Sequence, residues 1–463
     1  MILLSADARR LMLGLALLFA AGSILAGCGK NYTDAEATAA VAPQTITNRT
    51  AWSGSAGEAG EIQDNWIEDF RDPELEQLVR EAVSANPSLQ AASARVEQAQ
   101  ALAAQARSAL APSVGVGAQY AGLTRGDVSK PLSGAGLGVS WEADVWGRVG
   151  LGAQAAEESA RAVEADYEFA RQSLAAATAK AWFLACETQQ QLGFLHEVSG
   201  LVERMSSIVE KRREVGRVSM QDVHQIKAQL ASVHDAETKA DIAHQEAVRA
   251  LEVLLGRYPE DQVQAIGELD AKLSPIPVGM PSSMLERRPD LLAAQRRAAS
   301  AFYAEKSAEL LRLPSFTISA GAGASGLGGA IAGLTAGVFA PLYTGGRIEA
   351  QMKQASAAQK EAVAAYAAAA LQAFKEVENS LAGEELLANR DVFLKEAADE
   401  SKKAYELAQV QYKVGKVDLF QVLDLQTRWI GSEITLLDVE REQLDNRVDL
   451  HLALGGSFDS GAQ

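Results

Sequence analysis

The sequence of 463 residues predicts a mainly α-helical protein that also carries a membrane β-barrel and consists of two tandem repeats. Three observations support this fold class. The chain aligns with itself at an offset near 200 residues. Each half has a long proline-free stretch suited to very long helices, and each half has two short segments with the alternating pattern of β-strands.

The internal repeat rests on five spaced matches. Two of them give an offset of 202 residues and pair segments 86–89 with 288–291 and 112–113 with 314–315. The other three give 199 residues and pair segments 147–148 with 346–347, 215–218 with 414–417, and 255–256 with 454–455. The copies therefore differ by three residues between Pro112 and Gly147. We assign residues 66–265 to repeat one and 266–463, including a short C-terminal tail, to repeat two.

Both repeats predict the same order of elements. A helix comes first, and a proline ends it because proline is not tolerated inside a helix. Two strands follow, separated by a turn rich in Gly and Ser. The helices are expected at residues 75–111 and 289–313, and the strands at 113–120, 137–145, 315–324 and 334–342.

A long helical hairpin is predicted after the second strand of each repeat. Proline is absent from residues 132–258 and after residue 341, and a single glycine-centred break, at Gly216 and at Gly415, divides each stretch. Residues 148–214 would form one helix of about 100 Å, at a rise of about 1.5 Å per residue. Such a helix requires long neighbours, as in a coiled coil or a bundle.

Composition agrees with this architecture and excludes one class of partner. Aromatic residues make up only 6% of the chain and alanine is dense, which suits long helices that pack closely. The formal net charge is -17. Nucleic acid is therefore not expected as a partner, because phosphate binding requires a basic face.

The first 27 residues have the pattern of a signal peptide. Arg9 and Arg10 precede an apolar run at 11–25 that is short for a membrane helix. The run ends in Leu-Ala-Gly-Cys, which resembles the lipobox of bacterial lipoproteins. This resemblance implies cleavage before Cys28, a lipid that includes palmitate on Cys28, and a lipidated extension over residues 28–65. Gly29, in place of Asp, implies sorting to the outer membrane. A plain secretory peptide with a chance cysteine is the alternative.

The four strands of one chain cannot close a barrel. Strands of roughly ten residues fit a bilayer, but an open sheet leaves edge amides unsatisfied in lipid. Membrane barrels need at least eight strands. Oligomerisation is therefore predicted, and strand number alone leaves dimer, trimer and tetramer open.

Several motifs in sequence order then indicate a family. They are Trp-Glu-Ala-Asp-Val-Trp-Gly-Arg at 141–148, Pro-Leu-Tyr-Thr-Gly-Gly-Arg at 341–347, Leu-Glu-Arg-Arg-Pro-Asp-Leu at 285–291, Tyr-Lys-Val-Gly at 412–415 and Val-Leu-Asp at 422–424. The chain resembles the TolC/OprM family of outer-membrane efflux ducts, closest to its lipoprotein (NodT/OprM-like) branch. The resemblance covers residues 66–454.

This resemblance implies an architecture and a function. The family forms trimers, with a twelve-stranded β-barrel in the outer membrane continued by a twelve-helix α-barrel in the periplasm. It implies a passive channel for drugs or other toxic small molecules, gated at its periplasmic end. The expected partners are two further copies of this chain, outer-membrane lipid, a periplasmic adaptor and an inner-membrane pump of the resistance-nodulation-division type.

The resemblance also assigns site residues. Asp424 matches an aspartate of an acidic ring that narrows the entrance, while a second ring position is Gln421 here. Such a ring would attract cations and repel anions. Asp222 is expected to pair with Tyr412 in a latch between helical hairpins. The turns at Gly216 and Gly415 are expected to dock the adaptor. The alternative for Asp424 is an ordinary solvated helix residue.

Other classes of function have less support. A type I protein secretion duct would share the fold, and a non-conducting envelope lipoprotein would not need strands. An enzyme is not expected. The Gly-x-Gly-x-x-Gly at 321–326 precedes another strand instead of the helix that a nucleotide site needs. The histidines have no i,i+4 pair for a metal. Cys186 lies in an apolar helix segment, so we expect core packing, and no cofactor beyond the lipid.

Overall fold

The computed structural model describes residues 52, 60–125, 128–267, 269, 273, 275–325 and 329–459. Cys28, the segment 1–27 and most of the extension 28–65 lie outside these residues. The described chain forms two compact units, each drawn from separate stretches of sequence. The first unit comprises Ala94–Asp166 and Asp290–Ala369, and the second comprises Thr47–Ser93, Tyr167–Pro289 and Ala370–Gln463, as far as they are described.

Both halves of the chain have the same order of elements. In the first half these are α1 (Pro73–Ala85), α2 (Pro87–Ser108), β1 (Ser113–Arg125), β2 (Val128–Ala143), α3 (Arg148–Glu214) and α4 (Met220–Leu254). In the second half they are α5 (Pro281–Arg287), α6 (Pro289–Glu309), β3 (Ser315–Ser325), β4 (Gly329–Phe339), α7 (Arg347–Lys413) and α8 (Leu419–Leu454). Short 3-10 turns cover Trp66–Phe70 and Leu310–Arg312.

The long helices have the predicted extent. α3 and α7 contain 67 residues each, and both of their ends are related by the offset of 199 residues. Each is followed after a short turn by a helix of 35 or 36 residues. No described helix is both long enough and apolar enough to span a bilayer.

The first helix of repeat one is broken, contrary to the single helix predicted over residues 75–111. Asn86 is extended, with ψ of 122°, between α1 and α2. Pro87 causes the break, since a residue before proline avoids the helical region. The Asn86 side chain then caps α2, because its Oδ1 accepts hydrogen bonds from the amides of Ser88 at 2.8 Å and Leu89 at 3.2 Å.

The strands form one antiparallel sheet in the order β1-β2-β3-β4. All four exist where alternation predicts them, but β1 and β2 extend further toward their turn, and β2 and β4 end earlier, at Ala143 and Phe339. Pro131 lies inside β2, beyond the stretch where β2 pairs with β3. Proline is tolerated there because the amide it lacks faces no neighbouring strand. Within the described residues, β1 and β4 each have one edge without a strand partner.

The two faces of the sheet differ in side-chain size. One face is apolar and exposed, and it includes Val114, Val116, Leu137, Leu334 and Val338. The other face carries small residues, and Ser113, Gly115, Gly138, Ser140, Ser319, Gly321, Gly333 and Thr335 line a shallow concavity on it. Apolar-out and small-polar-in alternation is the pattern of a membrane barrel strand.

Two glycines on the small-residue face permit close approach of β2 and β3. A Cβ atom on Gly136 would lie 2.8 Å from the Ala322 carbonyl oxygen, and one on Gly323 would lie 2.7 Å from that of Ala135. Gly138, by contrast, faces open space. Only the first two positions therefore require glycine for steric reasons.

The second unit has a large apolar core and a separate one near the helical turns. The large core joins α1, α3, α4 and α8 around Trp66, Trp182, Leu251 and Leu444. Cys186 lies in this core, 1% exposed, and burial raises the pKa of its thiol to about 12, which confirms the core assignment.

Candidate functional site

The candidate site lies in the second unit, where the two long hairpins turn. The ends of α3, α4, α7 and α8 share a compact apolar core that we call the tip cluster, comprising Val198, Val202, Met205, Val209, Val223, Ile226, Val233, Tyr405, Ala408, Tyr412, Leu419, Val422 and Trp429. This core holds the predicted residues Asp222, Tyr412, Asp424, Gly216 and Gly415 at defined positions around it.

Gly216 and Gly415 end the long helices in the same way. Their φ angles are 73° and 76°, in the left-handed region that favours glycine. The amide of Arg217 donates to the Arg212 carbonyl at 2.8 Å, and that of Lys416 donates to the Gln411 carbonyl at 2.9 Å. These bonds close a Schellman motif at each helix end. Both tight turns are confirmed.

The turns expose apolar and basic side chains. Val215 and Val414 are 68% and 67% exposed beside the two glycines. Three exposed cations, Lys211, Arg213 and Arg217, surround the first turn. The first turn is therefore basic in a chain whose net charge is -17.

The predicted bond between Asp222 and Tyr412 is not formed in the described residues. The carboxylate of Asp222 instead accepts hydrogen bonds from the amide and the hydroxyl of Ser219, both at 2.8 Å, while the Ser219 hydroxyl accepts from the amide of Asp222. This is a capping box that begins α4. Asp222 thus serves the start of its own helix.

Tyr412 lies with its hydroxyl buried and without a hydrogen-bond partner among the described residues. The side chain is 5% exposed, and this burial raises the pKa of the hydroxyl. An unpaired buried hydroxyl costs about 1–3 kcal/mol relative to a bonded one. Tyr412 is therefore held by packing and by its neighbour Arg212.

Arg212 joins the two hairpins, a role that sequence reasoning missed. From the last turn of α3 its guanidinium donates to the carbonyls of Tyr412 at 3.1 Å and Lys413 at 2.7 Å. It also lies 4.8 Å from the centre of the Tyr412 ring. A cation at these carbonyls satisfies the unpaired acceptors and the negative end of α7. Arg212 is the polar contact that ties the first turn to the second.

Asp424 faces outward on α8 and pairs with a cation. The Nε of Arg428 donates to its carboxylate at 3.0 Å, one helical turn further along. The two side chains are 44% and 70% exposed. The acidic group expected to stand alone therefore has a basic partner on the same helix.

An aromatic group supports α8 behind this pair. The Trp429 ring stacks on Tyr405 at 5.3 Å and meets the edge of Phe194 at 5.1 Å. The Tyr405 hydroxyl accepts a hydrogen bond from Gln426 at 3.1 Å. These contacts fix the buried face of α8 and so orient Asp424 and Arg428 on the opposite face.

The features considered for other chemistries have structural roles. The glycine-rich segment at 321–326 begins inside β3 and is followed by β4. His196 and His234, on neighbouring helices, both contact Glu237, at 2.8 and 3.6 Å. The His196 contact lowers the pKa of Glu237. In the described part of the chain, no group of His, Cys, Asp and Glu side chains could hold a metal ion.

Comparisons with known proteins agree over most of the chain. A sequence profile of the family described as outer membrane efflux protein matches residues 78–257 and 280–456. The pyoverdine export outer membrane protein OpmQ of Pseudomonas putida is 29% identical over 430 residues, covering 88% of this chain and 91% of that protein. The probable outer membrane lipoprotein SilC of Salmonella typhimurium is 26% identical over 458 residues, covering 94% and 97%. The open-state crystal structure of the MtrE outer membrane channel of Neisseria gonorrhoeae has a TM-score of 0.80 at 25% identity, covering 89% of this chain and 97% of that one.

Proposed function

The chain belongs to the outer membrane efflux protein family and is an outer-membrane efflux protein, and from this premise we propose that three copies form one export duct. The duct conducts small toxic molecules passively from the periplasm to the exterior. It consists of a twelve-stranded β-barrel and a twelve-helix α-barrel, to which each chain contributes four strands and the four helices α3, α4, α7 and α8.

The observation that carries the proposal is the sheet with two unpaired edges. Unpaired edge amides are tolerated neither in lipid nor, over long exposed edges, in water. Since β1 and β4 are antiparallel to their neighbours, β4 of one copy can continue the sheet into β1 of the next. Closure then needs at least two copies, and the trimer is the member of that series that the family resemblance favours.

A strip of apolar side chains on α7 supports association of copies. Leu386, Phe393, Leu407 and Val414 are 58–69% exposed and follow one another at 7, 14 and 7 residues. Heptad spacing of apolar residues is typical of a helix that packs along a partner helix. The strip is left uncovered by the rest of the described second unit, so a second copy is the occupant we propose.

The periplasmic end of this duct is the tip cluster. We place the entrance at Asp424, with Tyr412, Asp222 and Arg212 holding the hairpins together around it. Gly216 and Gly415 present the exposed valines and basic residues to a periplasmic adaptor, which connects the duct to an inner-membrane pump of the resistance-nodulation-division type. SilC is described as a probable lipoprotein, which supports a lipid anchor on Cys28 of this chain.

Two measurements test the proposal. Native mass determination of the detergent-solubilised protein should give three copies, and planar bilayers should show discrete conductance steps. A monomer, or a folded oligomer that never conducts, would refute the duct.

Deletion in the host should increase its sensitivity to toxic small molecules. If sensitivity did not change while export of a protein stopped, the assignment would move to protein secretion. Metabolic labelling with palmitate should mark the wild-type protein and leave Cys28→Ala unlabelled; labelling of both would refute the anchor site.

A further inference from the structure

The exposed acidic residue of the proposed entrance has a basic residue beside it. Asp424 and Arg428 lie one turn apart on α8, and a charged hydrogen bond of 3.0 Å joins Arg428 Nε to Asp424 Oδ2. Both groups are open to solvent, at 44% and 70% exposure. Neither is desolvated, so both retain full charge at neutral pH, and every copy of the chain brings one of each.

The face of α8 that carries this pair is polar. Leu419, Val422, Gln426 and Trp429 are buried on the other side of the helix. Along the face of the pair, Gln421, Asp424, Thr427, Arg428 and Gly431 are exposed or half-exposed. Since the apolar strip of α7 is the surface suited to protein contact, the polar strip of α8 is the surface suited to water.

The other charges near this face do not make it acidic. Gln421 is neutral, and Asp418 accepts a hydrogen bond from the amide of Gln421 at 2.9 Å as the cap of α8. On α7, the ammonium of Lys402 lies 5.9 Å from the centre of the Trp429 ring, behind the pair. The local surroundings therefore add positive charge at least as much as negative charge.

We propose that the entrance is lined by a ring of acid–base pairs, not by bare carboxylates, and that it admits small organic anions as readily as cations. This inference rests on the proposed duct. Two opposite charges about 3 Å apart, well within the Debye length of about 8 Å at physiological ionic strength, act on a passing ion as a dipole. Three such pairs carry no net charge, so the ring lacks the cation preference of an acidic ring.

Ion selectivity in planar bilayers tests the proposal directly. Wild-type channels in a potassium chloride gradient should give a potassium-to-chloride permeability ratio within about threefold of unity, as expected for a pore without net ring charge. Arg428→Gln should raise this ratio by about tenfold, because three carboxylates become uncompensated. Asp424→Asn should lower it below the wild-type value. The double variant should return to the wild-type ratio.

A control separates ring charge from total charge. Lys239→Gln removes the same charge from an exposed i,i+4 ion pair with Asp235 on α4, away from the polar strip of α8. Its selectivity should match the wild type. Strong cation selectivity of the wild type, or an unchanged ratio in Arg428→Gln, would overturn the paired ring while leaving the duct intact. Failure of the folded wild type to conduct would overturn the duct itself, and the ring with it.

Discussion

Replacing Arg212 with alanine tests whether this residue holds the two hairpins together. The change removes hydrogen bonds of 3.1 and 2.7 Å to the carbonyls of Tyr412 and Lys413, and the contact of 4.8 Å with the Tyr412 ring. A hydrogen bond with a charged donor contributes about 1.5–3 kcal/mol net, and an exposed cation–π contact about 0.5–1 kcal/mol. Because Lys413 is exposed and water can replace part of this, we expect a loss of about 2 kcal/mol in all.

A loss of this size should be visible in gating. If the contact exists only when the entrance is closed, about 2 kcal/mol corresponds to an open-to-closed ratio about 30-fold higher. Single-channel recordings should therefore show a much larger open fraction for Arg212→Ala. Amide hydrogen exchange in the last turn of α7 should be faster as well, because its terminal carbonyls lose their partner.

Arg213→Ala is the matched control for this experiment. Arg213 neighbours Arg212 on the same helical turn but is exposed, and its side chain makes no hydrogen bond or ion pair with the described residues. The control should retain wild-type gating and exchange. If Arg212→Ala and Arg213→Ala behaved alike in both assays, the joint between the hairpins would not depend on this contact.

Two further variants test the sheet and the helical core. Gly136→Ala should destabilise the assembled protein by about 1–3 kcal/mol through its clash with β3, seen as loss of the oligomer at lower temperature on semi-native gels, whereas Gly138→Ala should behave as wild type; equal loss in both would contradict the close approach of β2 and β3. Burial, together with nearby Asp438, raises the pKa of Glu187 to about 7 from 4.5. The folded protein therefore holds this proton more tightly than the unfolded chain, so this contribution to stability is fully present below about pH 4.5 and is lost as pH rises through about 7. Thermal unfolding of Glu187→Gln should show a flatter dependence over this interval, while Glu214→Gln, at an exposed carboxylate, should keep the wild-type slope; an unaltered slope in Glu187→Gln would contradict the assignment.

The long elements were predictable because local rules determine them. Absence of proline over more than 60 residues, followed by one glycine, defines α3 and α7 with their ends. Alternation identified all four strands but not their ends, because backbone pairing extends β1 and β2 past the last alternating apolar residue. The break at Pro87 had a local signal, an Asn-Pro step, that the longer helical pattern concealed.

The site was harder to predict because its contacts join distant segments. Ser219 and Asp222 carry the Ser-x-x-Asp spacing of a capping box, a signal in the sequence that competes with any bond from Asp222 to Tyr412. The pairing of Asp424 with Arg428 was likewise legible as an i,i+4 pair. Arg212 had no such signal. Its partners lie 200 residues away, and only the packing of two helix ends brings them together.

The unpaired edges of the sheet have a consequence for biogenesis. A single folded chain cannot enter lipid, because β1 and β4 would carry their free amides into hydrocarbon. Insertion and association must therefore occur as one event, and a chain that has not found its partners stays outside the bilayer. A lipid on Cys28 would confine waiting chains to the membrane surface, where a search in two dimensions raises their effective concentration. The anchor would then act chiefly as an assembly device, needed most at low expression and least once the barrel has closed.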